Sequence, residues 1–190
     1  MMWLDLRQTK IPGCIELFSK ILKDERGFFV KTFHEEVFKS HYLKTHFPEE
    51  YFTVSFKGVL RGLHFQMPPM EHVKLVCCVY GSVFDAVIDL RVGSPTYGDF
   101  ETFELSAEKA NMIYIPAGLA HGFYVKSDTA IMTYKVTTVY SPEHDTGLLW
   151  NSANIPWPCD NPVLSERDEK FIKLDDYVSP FVYGDQDELI

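Results

Sequence analysis

The sequence has no Cys-x-x-Cys pair, and its cysteines are few. Its 190 residues contain four, of which Cys77 and Cys78 are adjacent. Adjacent side chains of a strand point to opposite faces, and no histidine is placed to complete a zinc site with these thiols. We therefore expect buried free thiols in a reducing compartment rather than disulfides or a zinc centre.

Long apolar runs and an excess of positive charge are also missing. No stretch approaches the roughly 20 apolar residues of a membrane span, and no basic segment followed by an apolar run marks a signal peptide. These absences predict a cytoplasmic protein that binds no membrane. With 18 Lys and Arg against 27 Asp and Glu, the formal net charge is −9, which argues against a nucleic-acid partner. An anionic ligand must then be bound by a local group of Arg and Lys.

Short β-like segments fill the middle of the chain. Aromatic residues reach 15% of the composition, as is typical of β-rich folds. Many short strands separated by turns favour a sandwich or barrel, and we predict an all-β, cupin-type jelly roll with a few short helices. The length favours a single domain over residues 1–190, with an N-terminal arm at about 1–50 and an irregular, partly helical segment at about 151–190. The predicted strands are Tyr51–Phe56, Val59–Gln66, Val73–Tyr80, Val83–Arg91, Phe100–Leu105, Met112–Ile115, Gly122–Val125 and Ala130–Tyr140.

Local patterns add four more specific predictions. Residues 14–18 form an edge strand, and residues 34–47 form a helix in which Tyr42 belongs to the apolar face. Gly81-Ser82 predicts a tight hairpin between two long strands. The alternation in residues 83–91 predicts a half-buried strand.

The stretch Val59–Gln66 interrupts a strand pattern with Arg61, Gly62 and His64. Residues three apart on a regular strand face opposite ways, but a bulge at the glycine would turn Arg61 and His64 toward one cavity. His64 could then act as a base beside an anion-binding Arg61. The alternative is a histidine at a rim and an arginine at the surface.

A second stretch, Pro116–Phe123, has the Pro-x-Gly-x-x-His pattern of the second cupin motif. The first cupin motif would need a second histidine where the sequence has Gln66. A metal site built from His64, His121 and either Glu71 or His72 remains conceivable by residue type. The alternative for His121 is a histidine whose hydrogen bonds are satisfied in the core.

Four further polar side chains have two interpretations each. Lys74 begins an apolar run, so it either reaches the rim or points into a cavity. Tyr134 and Tyr140 have the same parity and can face the same side, although tyrosines in a sandwich are often core residues. Asp168 follows Ser165, a candidate helix N-cap, and would gain a functional meaning only from a histidine partner.

Taken in order, eight segments resemble the dTDP-4-dehydrorhamnose 3,5-epimerase family of nucleotide-sugar epimerases. The resemblance covers roughly residues 10–170. The segments are Arg26–Phe29, Arg61–Gln66, Lys74–Val76, Gly81–Asp85, Ile115–Phe123, Tyr134-Lys135, Tyr140–Pro142 and Leu164–Asp168.

The resemblance implies a metal-free jelly roll without a cofactor, which forms homodimers whose N-terminal segment reaches the partner's site. It implies an isomerase that inverts C3, C5 or both of a nucleoside-diphosphate 4-keto-6-deoxyhexose, in deoxysugar biosynthesis. The hydrogens on both carbons are acidic because they are α to the C4 carbonyl. The implied catalytic residues are His64 as general base, Asp168 as its orienting carboxylate, Lys74 as the cation beside the enolate oxygen and Tyr134 as general acid.

The implied substrate-binding residues lie in four parts of the chain. Arg61 is a diphosphate ligand, and Arg26 and Phe29 act from the neighbouring subunit. The others are Gln66, His121, which supports the hydrogen-bond network of the pocket, and Tyr140.

The chain departs from the family's thymidine enzymes at Lys31, where they carry an acidic residue, and in residues 52–55. A loop at residues 67–72, stiffened by two prolines, borders the expected sugar pocket. The base and the sugar are therefore left open. Alternative functions are a sugar 3,4-ketoisomerase, a metal-dependent cupin enzyme, and a sugar-nucleotide binding protein without catalysis.

Overall fold

Two packed antiparallel sheets form the fold. A computed structural model of the protein describes residues 3–184, so the end of the predicted segment 151–190 lies outside the described residues. The strands within that range are β1 Leu4–Gln8, β2 Ile15–Ser19, β3 Ile21–Asp24, β4 Gly27–Val30, β5 Glu49–Phe56, β6 Leu60–Gln66, β7 Lys74–Tyr80, β8 Ser82–Asp89, β9 Phe100–Ser106, β10 Asn111–Ile115, β11 Leu119–Val125, β12 Thr129–Val136 and β13 Asp145–Gly147. The helices are α1 Glu35–Ser40 and two 3₁₀ turns, Asp168–Lys170 and Leu174–Asp176.

The larger sheet has the strand order β1-β2-β10-β7-β12-β5, and the smaller has the order β13-β6-β11-β8-β9. Strands β3 and β4 form a separate hairpin. Apolar side chains from both sheets, including Val76, Val87, Phe123 and Met132, make the core between them. The inward and outward alternation along β12 is what places its even-numbered side chains in that core. The prediction of an all-β jelly roll is confirmed.

Each predicted strand is present, but the pairing of the strands differs from the prediction in two places. Residues 15–19 form β2, which pairs with β1 on one side and with β10 on the other, so the predicted edge strand lies inside the sheet. The predicted hairpin at Gly81 is also wrong, because β7 and β8 belong to different sheets. Gly81 has φ +76° and a Cβ there would lie 2.1 Å from the carbonyl oxygen of Thr129, so this link between sheets requires glycine.

Strand β8 is buried on both faces, which corrects the prediction of a half-buried strand. One face contacts the core between the sheets. The other is covered by the chain after β13, where Leu148, Ile155 and Phe181 pack on Ala86 and Ile88. Sequence alternation alone could not show this cover, because it comes from residues that are distant in the sequence.

The predicted helix at residues 34–47 is shorter than expected. α1 ends at Ser40, and Tyr42 has φ +60° and is 81% exposed, so it does not belong to the apolar face. Phe38 is buried and packs with Leu43 on the outer surface of the larger sheet. None of the helices in the described part of the chain is long and apolar enough to cross a membrane.

Candidate active site

A cavity of about 430 Å³ opens between the two sheets and is lined by side chains from both. Seven of the residues predicted for the site lie around it: Arg61, His64, Gln66, Lys74, His121, Tyr134 and Tyr140. Six further lining residues were not predicted for it: Glu49, Tyr51, Thr53, His72, Phe123 and Asp145. An apolar wall with a few convergent polar groups is typical of a small-molecule site.

Gly62 explains how Arg61 and His64 reach the same cavity. The pairing of β6 with β11 shifts register between His64 and Arg61, where β6 has one residue more than its partner. Gly62 has φ +138°, and a Cβ would lie 2.5 Å from Cα of Gly122, so a side chain is excluded on two grounds. The bulge that the sequence suggested is present, and it turns side chains three residues apart toward one space.

His64 and Asp168 form a hydrogen-bonded pair at the cavity wall. Nε2 of His64 donates to Oδ1 of Asp168 at 2.9 Å, and the amide of Gly62 donates to Oδ2 at 3.2 Å. Burial raises the pKa of Asp168, but the hydrogen bonds and the charge of His64 outweigh it, and the pKa lies below the ordinary value. Oγ of Ser165 accepts from the Asp168 amide at 3.1 Å, but the 3₁₀ turn begins at Asp168 with Arg167 as its N-cap residue, so the prediction of Ser165 as N-cap is wrong. Nδ1 of His64 is left as the ring nitrogen that can accept a proton.

His121 and Asp85 form a second pair, deeper in the protein. Nε2 of His121 lies 2.8 Å from Oδ2 of Asp85, and both side chains are almost fully buried. Within residues 3–184, Oδ1 of Asp85 has no hydrogen-bond partner. Burial raises the pKa of Asp85, although His121 and Lys74 oppose the shift. Sequence analysis missed Asp85, because its strand position alone did not predict a histidine partner.

Lys74 points into the interior rather than to the rim. Its Nζ donates to the carbonyl oxygen of His64 at 2.9 Å, next to the first pair. Burial lowers the pKa of Lys74 to about 8, and the charges of Asp145 and Asp85 limit the decrease. An ammonium group in this dry position can stabilise negative charge that forms in the cavity.

Tyr134 lies on β12 with its ring against that of Tyr51. The ring centroids are 4.7 Å apart and the planes differ by 14°, so the rings are stacked. Burial raises the pKa of Tyr134 well above the ordinary value, and Tyr51 raises it further. The phenol therefore stays protonated at neutral pH and can serve as a proton donor.

Gln66 lines the cavity, but other protein groups occupy its amide. Its Nε2 donates to the carbonyl oxygen of Met70 at 2.7 Å, and its Oε1 accepts from the amide of Ser141 at 2.7 Å. It thereby connects two loops at the cavity rim. Tyr140, in one of these loops, is 56% exposed, and its amide donates to Glu49 at 2.8 Å.

Arg26 and Phe29 are the predicted site residues that the chain does not bring to the cavity. They lie on the β3–β4 hairpin beside a separate open hollow of about 450 Å³. The side chain of Arg26 is 84% exposed, and Phe29 is 55% exposed. Their role toward a neighbouring subunit stays a prediction.

The lining residues that were not predicted differ in whether the sequence could have indicated them. Glu49, Tyr51 and Thr53 alternate along β5, so their shared face could have been inferred from parity once the strand was assigned. His72 ends the loop at residues 67–72 that was expected to border the sugar pocket, whereas the position of Asp145 at the cavity follows only from the fold. The residues described contain no group of three or more His, Cys, Asp or Glu placed to bind a metal ion, so the metal site that residue types left conceivable is not assembled.

The fold and the cavity together define a cupin-like protein with a site suited to proton transfer. The comparisons with known proteins agree with that class. The family model described as dTDP-4-dehydrorhamnose 3,5-epimerase matches residues 8–176. A dTDP-4-dehydrorhamnose 3,5-epimerase of Shigella flexneri is 42% identical over 181 residues, which cover 92% of this chain and all of that protein.

Two other relatives extend the comparison. The crystal structure of a dTDP-6-deoxy-D-glucose-3,5-epimerase from Legionella pneumophila, in complex with dTDP-4-keto-L-rhamnose, has a TM-score of 0.90 at 34% identity and covers 95% of this chain and all of that one. A dTDP-4-dehydrorhamnose 3-epimerase of Streptomyces niveus is 37% identical over 172 residues, or 89% of this chain and 83% of that protein.

The chain belongs to the dTDP-4-dehydrorhamnose 3,5-epimerase family. It is an isomerase, an epimerase of nucleotide-linked 4-keto-6-deoxy sugars that functions in deoxysugar biosynthesis.

Proposed function

We propose that this enzyme inverts C3, C5 or both of a dTDP-linked 4-keto-6-deoxyhexose through an enolate, with His64 as base and Tyr134 as acid. The observation that supports the proposal most directly is one cavity lined by a buried lysine, a desolvated phenol and a histidine that is paired with a carboxylate. Binding alone requires no such set of proton-transfer groups.

His64 takes the first proton. Its Nε2 bond to Asp168 orients the ring and stabilises the imidazolium that forms when Nδ1 accepts the proton from C3 or C5. Asp168 remains ionised because its hydrogen bonds lower its pKa. The electron pair of the broken C–H bond moves to the C4 oxygen, which becomes an enolate.

Lys74 and Tyr134 complete the reaction. With a pKa of about 8, Lys74 is largely charged at neutral pH and can stabilise the enolate oxygen. Tyr134 then donates its proton to the opposite face of the carbon, which inverts the centre. Water reprotonates the resulting phenolate and takes the proton from His64, so the enzyme returns to its starting state.

Arg61 binds the diphosphate in this proposal. Its Nε donates to Ser55 at 2.8 Å, which leaves the terminal guanidinium nitrogens for phosphate oxygens at the cavity mouth. On a protein of net charge −9, a local cation is needed there. The dTDP-sugar bound in the Legionella structure supports a thymidine nucleotide.

In a homodimer, Arg26 and Phe29 could bind substrate at the site of the neighbouring subunit. The exposed hairpin carries Phe28, which is 60% exposed, and the edge strand β5 presents Phe52 and Phe56, which are 67% and 68% exposed. Apolar side chains of this size are normally covered at an interface. We propose that the hairpin contacts a second copy of the chain and that the enzyme works in the cytoplasm, where free thiols such as those of Cys77 and Cys78 persist.

Proton NMR of the purified enzyme in D₂O with dTDP-4-keto-6-deoxyglucose tests the function. We expect loss of the C3 signal, the C5 signal or both, together with an inverted product. The CDP and GDP analogues, tested in parallel, check the assignment of the base. A folded enzyme that exchanges neither hydrogen in any analogue would contradict the proposal.

Inversion at C3 alone is a second candidate, which the 3-epimerase relative of Streptomyces niveus favours. The same spectra separate the candidates, because a C3-specific enzyme leaves the C5 signal undiminished. A 3,4-ketoisomerase would instead move the carbonyl and produce a different set of ring signals.

A further inference from the structure

Tyr51 and Tyr134 are directly opposite each other on neighbouring strands. β12 pairs with β5 so that Tyr134 and Tyr51 are register partners, and both side chains point toward the cavity. Their rings stack at 4.7 Å. Aromatic pairs at this separation attract each other beyond the area that they bury.

Tyr51 is the neighbour of Tyr134 on the open side of the sheet. β5 is the last strand of the larger sheet, so among residues 3–184 no further strand lies beyond Tyr51. On the other side, β7 places Val76 beside Tyr134, and the ring of His121 approaches edge-on at 6.2 Å. Without the ring of Tyr51, Tyr134 would have space to rotate toward the sheet edge.

The direction of the Tyr134 hydroxyl matters because the enolate can be reprotonated in two ways. If His64 trades the abstracted proton for a deuteron from D₂O and returns it to the same face, the carbon exchanges its hydrogen but is not inverted. If Tyr134 donates to the other face, the centre is inverted. The ratio of exchange to inversion therefore measures how well the phenol is placed.

We propose that Tyr51 is a positioning residue, which stacks on Tyr134 and keeps its hydroxyl aimed at the far face of the enolate. This inference rests on the proposed function, and in particular on Tyr134 as the acid. It assigns the effect to the aromatic ring of Tyr51 rather than to its hydroxyl. In every variant, the proton that inverts the centre comes from Tyr134.

Two substitutions separate the ring from the hydroxyl. Tyr51→Phe keeps the stacked ring, whereas Tyr51→Leu keeps apolar bulk without one. Initial rates of deuterium uptake and of inverted product are measured for each in D₂O, with KM and kcat. Tyr42→Leu is the matched control, because Tyr42 is 81% exposed and does not line the cavity.

For Tyr51→Leu, we expect inversion to fall about tenfold while deuterium uptake and KM stay within about twofold of the wild type, so that the ratio of exchange to inversion rises. Tyr51→Phe and Tyr42→Leu should keep the wild-type ratio. A purely structural defect would lower exchange and inversion in parallel.

An unchanged ratio in Tyr51→Leu would overturn the inference, as would a Tyr51→Phe variant that behaves like Tyr51→Leu. Circular dichroism checks folding, and Tyr51→Met replaces the leucine variant if the latter does not fold. If the wild type itself shows neither exchange nor inversion, the proposed function fails. If the wild type shows both and the variants do not differ, only the role of Tyr51 fails.

Discussion

The two histidine–carboxylate pairs have almost the same length but opposite electrostatic surroundings. The His64–Asp168 bond is 2.9 Å and the His121–Asp85 contact is 2.8 Å. Asp168 also accepts from the amide of Gly62, whereas Asp85 is fully buried with one oxygen unpartnered among the residues described. The pKa of Asp168 is therefore lowered, while burial raises that of Asp85.

The comparison shows that a short distance does not by itself suit a histidine–carboxylate pair to proton transfer. A carboxylate that stays ionised can orient an imidazole and stabilise its charged form, which is the role we propose for Asp168 toward His64. A carboxylate whose ionised form is destabilised by burial supports a neighbouring histidine less well. His64 is also 30% exposed at its side chain, whereas His121 is 4% exposed, so only His64 is freely reachable from the cavity mouth.

The largest expected difference between the two pairs is in the rate of deuterium exchange after His64 or His121 is replaced. His64→Asn should slow deuterium exchange on the order of 10²–10⁴-fold, since the general base is lost. His121→Asn should reduce it by no more than about tenfold, the value of a hydrogen bond in the pocket. Exchange rates measured by NMR in D₂O test both. Equal losses in the two variants would remove the functional distinction between the pairs.

The first pair also depends on the bulge in β6, and Gly62→Ala tests that dependence. A Cβ would approach Gly122 within 2.5 Å at an unfavourable φ, so we expect a loss of about 3 kcal/mol or more in the free energy of unfolding. Gly98→Ala is the control: its φ is +80°, but no atom lies within 4 Å of the added Cβ. It should cost about 1–2 kcal/mol. If urea denaturation gave similar losses in the free energy of unfolding for Gly62→Ala and Gly98→Ala, the contact with Gly122 would be unimportant.

The opposite pKa directions predict opposite pH dependences of stability. The lowered pKa of Asp168 gives stability above its unfolded value of 3.8, which is lost as the pH falls, so Asp168→Asn should cost about 1–3 kcal/mol at neutral pH and less in acid. Because the pKa of Asp85 is raised, its contribution to the free energy of unfolding falls as the pH rises. The loss of stability in Asp85→Asn should therefore be largest in acid. Urea denaturation at pH 4 and pH 7 measures both trends. Parallel trends would contradict the two pKa directions.

A smaller effect, on kcat/KM, should appear at alkaline pH. With a pKa of about 8, Lys74 loses its charge as the pH rises, so kcat/KM should decline above that value. Asp85 and Asp145 face Lys74 and favour its charged form. Asp85→Asn should therefore move the decline to lower pH, while Asp168→Asn should leave its position unchanged. If the decline in kcat/KM moved by the same amount in both variants, Asp85 would have no specific effect on the pKa of Lys74.

Most of the site, including the His64–Asp168 pair implied by the resemblance, was predicted from the sequence, but two cross-strand partners were not. Residue types and a glycine in a strand pattern indicated that Arg61 and His64 could share a cavity, and resemblance to the family supplied the roles of Asp168, Lys74 and Tyr134. Asp85 and Tyr51 were missed. Each acquires its meaning from a cross-strand neighbour, and strand pairing cannot be read from one strand alone.

The sequence by itself determined the strand content in the middle of the chain, a bulge at Gly62, and a net charge of −9 that requires local cations for an anionic substrate. These properties follow from side-chain periodicity, backbone sterics and composition, all of which are local or additive. Only the tertiary structure decided that β7 and β8 belong to different sheets, that Asp168 lies against His64 across 104 positions, and that Tyr51 stacks on Tyr134. Burial, hydrogen bonds and pKa depend on which distant residues meet, and that choice is made by the packing of the whole chain.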